Sequence, residues 1–387
     1  LSYSAVINEM HRAVAEKHTQ MKQQIAYFQK QGKLQYFQGA AKFLSPHTID
    51  VDMGEGKHHA IHADHAVLAI GSRPRYLPNI PIDEKTILTS DGIASLTDFP
   101  RSIVILGAGV IGCEFATIFS NYRKTKVYLI DKEERILPFE DEDISHAVAS
   151  NLERNGVVIH HGASLEKMSI VDGKVEYILN YKDGRHEILT VEKALISVGR
   201  VANTDNLGLD AAGVALNDRG FVDDEDTQTN VSHIYAVGDL TADISLVNVG
   251  ELEGRYAIEK MFGDPQHELV YDNISTIMFL NPEVASVGLN EIQARRKKIP
   301  YRVAVMNYRY VNRAIAMSKT EGFFKLLVTD DEQVSLASES FTVLATPAGQ
   351  PRWLSRSPPR TATHQPPWLE FTATLTNQTA RLVADSV

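Results

Sequence analysis

Apolar residues recur at three- and four-residue steps over residues 5–29, at Ile7, Met10, Val14, Met21, Ile25 and Phe28, with His18 on the same stripe. That spacing predicts a helix, closed by Gly32. Short strand-like runs follow at Leu34–Phe37, Thr48–Val51 and Ala66–Ile70, the last ending in the turn signal Gly71-Ser-Arg-Pro74. From Ser102 the pattern alternates: a buried strand Ile103–Leu106, a helix Val110–Ser120, a strand Lys126–Ile130, a helix Asp143–Asn155 and a strand Val157–His160. Such alternation builds a parallel sheet covered by helices. Two hairpin strands, Lys174–Asn180 and His186–Val191, flank Lys-Asp-Gly, and a buried strand Ala194–Val198 runs into Gly199-Arg200. Beyond Phe221, a strand Ile234–Val237 closes on Gly238-Asp239 and leads to a helix over Asn248–Phe262. Residues 274–330 mix antiparallel strands and helices, a different packing type. The periodicity lapses after Glu332. Residues 334–387 hold 6 of the 15 prolines, both tryptophans and no lysine. Pro358-Pro and Pro366-Pro would interrupt a helix or a central strand, so this tail is expected to be disordered or the product of a reading-frame change.

A length of 387 residues with 43% hydrophobic and 23% charged positions fits two or three folded domains. The formal net charge of −10 argues against nucleic acid, because phosphate neutralisation needs clustered Lys and Arg. Arg295-Arg-Lys-Lys298 is too short to change that and reads as a solvated helix face. No apolar run approaches the ~18–20 residues that span a bilayer, and no secretion signal opens the chain, so a cytoplasmic protein with no membrane partner is expected. Leu1 in place of Met fits a natural N-terminus further upstream. The single cysteine, Cys113, excludes an intrachain disulfide and a Cys-x-x-Cys metal or redox motif, and it is expected to be a buried core residue. No metal site is expected.

Chemistry concentrates in Ile103-Val-Ile-Leu-Gly107-Ala-Gly109-Val-Ile-Gly112-Cys-Glu114. This G-x-G-x-x-G follows an apolar strand and opens a helix, as dinucleotide binding requires. Gly107 permits the tight turn, Gly109 lets the backbone approach a pyrophosphate, and Gly112 lets helix and strand pack closely. Orphan N–H groups and the helix dipole suit the phosphates. Asp131, at the end of the next strand, can accept from ribose hydroxyls and repel a 2′-phosphate, while Lys132 and Arg135 could soften that repulsion. Ser232-His-Ile-Tyr-Ala-Val-Gly238-Asp239 places a second carboxylate at a strand's carboxyl end, a weaker motif alone.

Val-Leu-Ala-Ile-Gly71-Ser72-Arg-Pro, the glycine turn, Val198-Gly199-Arg200 and Ala236-Val-Gly238-Asp239 stand in an order and spacing that resembles the pyridine nucleotide-disulfide oxidoreductases. Asn281-Pro-Glu-Val-Ala-Ser-Val-Gly288 resembles the opening of that family's interface domain. The resemblance runs from about residue 5 to 333. Within the family, Gly-Val-Ile-Gly112-Cys-Glu114-Phe-Ala, Ile136-Leu-Pro-Phe and Gly199-Arg-Val-Ala-Asn203-Thr-Asp-Asn look most like the soluble pyridine nucleotide transhydrogenases, with dihydrolipoyl dehydrogenase next. The resemblance implies an α/β protein with two Rossmann-like dinucleotide-binding domains, the FAD domain incomplete, and a partial α+β interface (dimerisation) domain. The implied boundaries are 1–89 and 206–268 for FAD, 90–205 for NAD(P), 269–333 for the interface domain and 334–387 for the tail.

By that resemblance Ala41, Ile70, Gly71 and Ser72 would line FAD, Asp239 would bond the ribityl chain, and Ser245, Leu246, Val247 and Asn248 would pass the isoalloxazine. Gly107, Ala108, Gly109, Val110, Ile111, Gly112, Glu114, Asp131, Leu165 and Gly199 would hold NAD(P), with Glu114 near the nicotinamide. The implied activity is hydride transfer between NAD(P)H and FAD, best matched to NADPH/NAD+ exchange. Dihydrolipoyl dehydrogenase is the alternative, and an inactive nucleotide-binding remnant is the alternative of another class. Asn248 stands where the dihydrolipoyl enzymes usually have His, which leans towards transhydrogenase. An intact parent would be a homodimer. The chain also departs from the family. It has no G-x-G-x-x-G before residue 40, no cysteine pair and no terminal His-Pro…Glu, so no catalytic residue is identified and the chain is expected to purify without bound FAD.

Overall fold

The computed structural model describes residues 2–263, 265, 267–272, 274–329 and the backbone of the strand Ser335–Thr342. The chain gathers into two compact units, one of Leu1–Pro78, Thr89–Phe99 and Val198–Leu269, the other of Asn79–Leu88, Pro100–Ser197 and Val270 onward.

The first unit opens with the helix Tyr3–Lys30, capped by Ser2, whose side chain accepts from Ala5 N–H. Only Tyr3 on it is buried, with its ring edge-on to Phe99 at 4.8 Å. The periodic residues Met10, Val14, Met21 and Phe28 are exposed. The run Leu34–Phe37 does not form a strand. Pairing starts only at Ala40, opposite Asp52, and Leu34 and Tyr36 stay exposed. A three-stranded antiparallel sheet of Ala40–Ser45, Thr48–Asp52 and His58–His62 stands there instead, two of its strands unanticipated. A four-stranded sheet sets Ile234–Ala236 parallel to Ala66–Leu68, with Asp224–Glu225 and Gln228–Thr229 beyond. Its core gathers Phe43, Leu68, Leu209, Val222, Ile234 and Leu240. The helix Val247–Phe262 follows the second of these parallel strands.

In the second unit a five-stranded sheet has the order Ile87–Thr89, Lys193–Ile196, Ser102–Leu106, Lys126–Ile130, Val158–His160, and its last four strands run parallel. Ile103, Val104 and Ile105 are fully buried, as expected of a parallel strand covered on both faces. The helices Val110–Asn121 and Glu142–Arg154 arise where the alternation places them. The hairpin is a three-stranded meander, since Ala163–Val171 joins Lys174–Tyr181 and His186–Val191.

The last sheet orders Ser275–Met278, Glu283–Gly288, Ser335–Thr342, Gly322–Thr329 and Tyr301–Asn307, all antiparallel. Its central strand corrects the tail boundary at 334, because Ser335–Thr342 is paired on both sides. Serine and alanine dominate it and carry little of the β-branched and aromatic signal that marks strands. The proline-rich stretch begins later, at Pro347, and residues 343–387 lie outside the described residues. No helix among the described residues is long and apolar enough to cross a membrane.

Candidate functional site

The strand Ser102–Leu106 delivers Gly107 to its carboxyl end, where Gly107 N–H donates to Ile130 O at 2.9 Å. Gly107 has φ +100°, a conformation that strains any side chain, and a Cβ there would lie 2.5 Å from Ser197 O. A Cβ on Gly112 would lie 1.9 Å from Gly107 O, so helix and turn touch as closely as glycine allows. Gly109 differs: it has an ordinary extended backbone, φ −78° and ψ −169°, and nothing stands within 4 Å of the Cβ it lacks. Open space therefore faces the start of the helix Val110–Asn121, whose first N–H groups have no intrahelical acceptor and whose dipole is positive there. Ala108 is buried in the turn, and Val110 and Ile111 form the first helical residues. Free N–H donors and a positive dipole end facing open space are the features that favour an anion at a helix start.

Asp131 stands against the same turn. Its Oδ2 accepts from Ala108 N–H at 2.7 Å and its Oδ1 from Glu133 N–H at 2.9 Å. Arg135 corrects a sequence expectation. Its guanidinium donates to Glu140 O at 2.8 Å, Pro138 O at 3.1 Å and Ser145 Oγ at 3.2 Å, which commits it to its own loop. The cation left near Asp131 is Lys132, which is exposed. Glu114 accepts from Phe279 N–H at 2.9 Å, so its carboxylate fastens the connection after Ser275–Met278 to the helix of the glycine turn. Leu165 is half-buried on the strand Ala163–Val171, whose first residue donates to Asp131 O at 3.1 Å. Gly199 belongs to the first unit; it has φ +105°, and its carbonyl accepts from Arg75 N–H. Cys113 is fully buried and donates to Ala108 O at 3.5 Å; burial, then Asp131 and Glu114, push its thiol pKa far up. It is inert core, as the sequence suggested.

In the first unit Ile70, Gly71, Ser72 and Asp239 come together. Ser72 Oγ donates to Asp239 Oδ2 at 2.7 Å, and Arg200 donates from Nε to Ser72 Oγ and from Nη2 to Ser72 O, both at 2.7 Å. Arg200 also lies 3.8 Å from Asp239 and 3.9 Å from Asp91. Asn203 closes the group, bonding Ile70 O from Nδ2 at 2.9 Å and Gly71 O from its N–H at 3.0 Å. Sequence reasoning quoted Arg200 and Asn203 within motifs and gave them no role. Buried Glu253 accepts from Gly238 N–H at 2.6 Å and so fixes the turn that presents Asp239. Ala41 sits on the separate strand Ala40–Ser45, exposed and paired with Val51. Ser245 and Leu246 form a loop, and Val247 and Asn248 open the helix, with Val247 92% exposed.

One cluster escaped the sequence reading. Lys325 interrupts Phe323-Phe-Lys-Leu-Leu-Val328 and is 1% exposed. Its Nζ donates to Asp141 Oδ2 at 2.8 Å and Asp143 Oδ1 at 3.0 Å and lies 2.6 Å from Glu291 Oε1. Burial works against the charge, but these three carboxylates outweigh it and raise the ammonium pKa. A lone cation inside an apolar strand was the signal.

A glycine turn on a parallel sheet, with a second strand end closed by Gly238-Asp239, defines a two-dinucleotide oxidoreductase of the flavoprotein kind. The family model described as pyridine nucleotide-disulphide oxidoreductase matches residues 1–254, and that of its dimerisation domain matches 274–337. A soluble pyridine nucleotide transhydrogenase of Yersinia enterocolitica is 33% identical over 84% of this chain and 68% of that protein. A dihydrolipoyl dehydrogenase of Chlamydia muridarum is 32% identical over 80% of this chain and 65% of its own length. The HOCl-induced flavoprotein disulfide reductase RclA from Escherichia coli superposes with a TM-score of 0.78 at 26% identity, over 89% of this chain and 77% of that one. The chain belongs to the pyridine nucleotide-disulphide oxidoreductases, enzymes that use FAD and NAD(P), and it spans about two thirds of the length of the transhydrogenase and the dihydrolipoyl dehydrogenase.

Proposed function

We propose that this chain carries the nicotinamide-nucleotide site of an enzyme that exchanges hydride between NADH or NADPH and the opposite oxidised nucleotide through FAD, in a homodimer assembled on residues 274–337. The observation that carries the reading is the open space before Gly109, flanked by the helix start and the Asp131 carboxylate. Gly107–Gly112 would cradle the pyrophosphate, Asp131 would take the adenosine ribose, and Leu165 would lie towards the adenine end. Ser72 and Asp239, held by Arg200 and the Gly238–Glu253 bond, would meet the flavin's ribityl hydroxyls. FAD supplies the hydride chemistry when bound; the residues set position and charge around it.

A second reading, reduction of a disulfide as in dihydrolipoyl dehydrogenase, is favoured by relatives of both names at nearly equal identity. It needs a cysteine pair, and these 387 residues hold one cysteine, which is buried. The test supplies the purified chain with FAD and follows two reactions, NADPH with a thionicotinamide analogue of NAD+, and NADH with lipoamide. Nucleotide exchange without lipoamide reduction is expected. Lipoamide reduction without exchange would replace the first reading by the second, and NADH binding with neither reaction would leave a nucleotide-binding remnant.

A further inference from the structure

The residues after Asp131 form a loop that is tied at both ends. At the near end, both main-chain polar groups of Ala108 are bonded to it: Ala108 N–H donates to Asp131 Oδ2 at 2.7 Å, and Leu137 N–H donates to Ala108 O at 2.9 Å. Along its length Arg135 clamps Pro138 O and Glu140 O, and Ser145 Oγ donates to Leu137 O at 3.0 Å. At the far end Asn290 Nδ2 donates to Phe139 O at 2.8 Å, and Asp141 receives Glu291 N–H at 3.1 Å and Ile292 N–H at 3.2 Å. Asp141 also receives Lys325 Nζ from the strand Gly322–Thr329 at 2.8 Å. Every link from Ala108 to Lys325 is a direct hydrogen bond or a few residues of one loop.

We propose that Lys325 is a positioning residue for the dinucleotide site, holding through Asp141 the 131–141 loop whose Asp131 and Leu137 fix the Ala108 peptide. This rests on reading Gly107–Gly112 as the nucleotide turn. The physical ground is charge. Without its ammonium, Asp141, whose side chain is 3% exposed, is left as a buried carboxylate without a cation beside the exposed Asp143 and the Arg295-paired Glu291, and a buried carboxylate in that position is costly enough to move. Asp141 is the one of the three on the loop, and its departure releases Phe139–Asp141 and the register that brings Leu137 to Ala108.

The experiment compares the full chain with Lys325→Met, Asp141→Asn and Phe324→Leu. Phe324 is the next residue on the same strand, but it packs with Tyr308 and Ala314, so its variant loosens the sheet without touching the network. Two quantities are read: NADH affinity by calorimetry, and hydrogen exchange of the peptide covering 132–141 with no nucleotide present. Lys325→Met is expected to weaken NADH by about tenfold and to speed exchange in 132–141. Asp141→Asn should act in the same direction and carries the test if Lys325→Met does not fold. Phe324→Leu should lower the melting temperature and change neither readout. Wild-type affinity in Lys325→Met, or equal weakening in Phe324→Leu, overturns the proposal and leaves the nucleotide turn standing. A wild-type chain that does not bind NADH overturns the turn itself, and the proposal with it.

Discussion

Gly109 and Gly112 lie three residues apart, and the geometry gives them opposite fates under substitution. In Gly109→Val the new side chain meets no atom within 4 Å of its Cβ, and the backbone is already extended, where a β-branched residue is comfortable. Two small terms remain. Valine caps a helix worse than glycine by about 1 kcal/mol, and it stiffens the unfolded chain by roughly 0.4–1 kcal/mol, so they nearly cancel. In Gly112→Ala the added carbon would stand 1.9 Å from Gly107 O, whereas packed Cβ atoms keep beyond 3.0 Å. The helix must retreat from the turn by about an ångström. The cost should reach the upper end of core overpacking, about 3 kcal/mol.

At roughly 2–4 °C per kcal/mol for a unit of this size, Gly112→Ala should melt about 6–12 °C below wild type and Gly109→Val within a few degrees of it. Nucleotide affinity should separate the pair in the other sense. Valine at 109 fills the space a pyrophosphate would enter, so NADH binding should fall by about 100-fold or more, some 2.7 kcal/mol. Scanning calorimetry and titration calorimetry on the same preparations decide it. A Gly109→Val protein that binds NADH like wild type, or that melts with Gly112→Ala, would refute the assignment of the open space to a phosphate.

Asp131→Asn should shift preference towards NADP(H) by roughly tenfold in the affinity ratio; Lys132 is the cation left to attract the 2′-phosphate, and an unmoved ratio would mean that Asp131 does not face the ribose. Glu140, 7% exposed, has its carboxyl pushed up to about 7 by burial and by Asp141, against Arg135. Between the unfolded value of about 4.5 and about 7 the folded state holds the extra proton, so stability falls as pH rises through that window and is flat above it. Asp224 titrates in the same range through burial and Asp243, so the readout is the difference from wild type: Glu140→Gln should be more stable at pH 8 by about 3 kcal/mol and equal near pH 4.5 in urea unfolding. Limited proteolysis should leave a resistant fragment that retains Ser335–Thr342, paired on both sides; cleavage ahead of Ser335 with the sheet intact would contradict that pairing.

What the sequence made legible follows the reach of each signal. The parallel sheet of the second unit could be read almost to the residue, because buried strands are near-continuous apolar runs and the glycine turn fixes where strand becomes helix. Leu34–Phe37 misled because an apolar run says nothing about a partner, and pairing begins only at Ala40. Ser335–Thr342 hid for the converse reason: main-chain bonds on two sides hold a strand whose side chains barely mark it. The site divides in the same way. Glycines announce themselves, since only they tolerate the turn at 107 and the contact at 112. Asp131 was placed by its distance from that turn, and the structure puts it there.

Charged side chains are different, because their role depends on whatever the fold brings within 3 Å. Arg135 lies near Asp131 in sequence and suggested a phosphate ligand, yet carbonyls of its own loop claim it. Resemblance alone sets Glu114 beside the nicotinamide, and no sequence signal marks the bond its carboxylate accepts from Phe279 N–H, 165 residues on. Lys325 lies 184 residues from Asp141, and no local pattern could pair them. The one sequence trace of that pairing is the anomaly itself. A strand that buries an ammonium at full charge must find its counter-ions somewhere, so a lysine inside Phe323-Phe-Lys-Leu-Leu-Val328 already implied acidic partners from elsewhere in the chain.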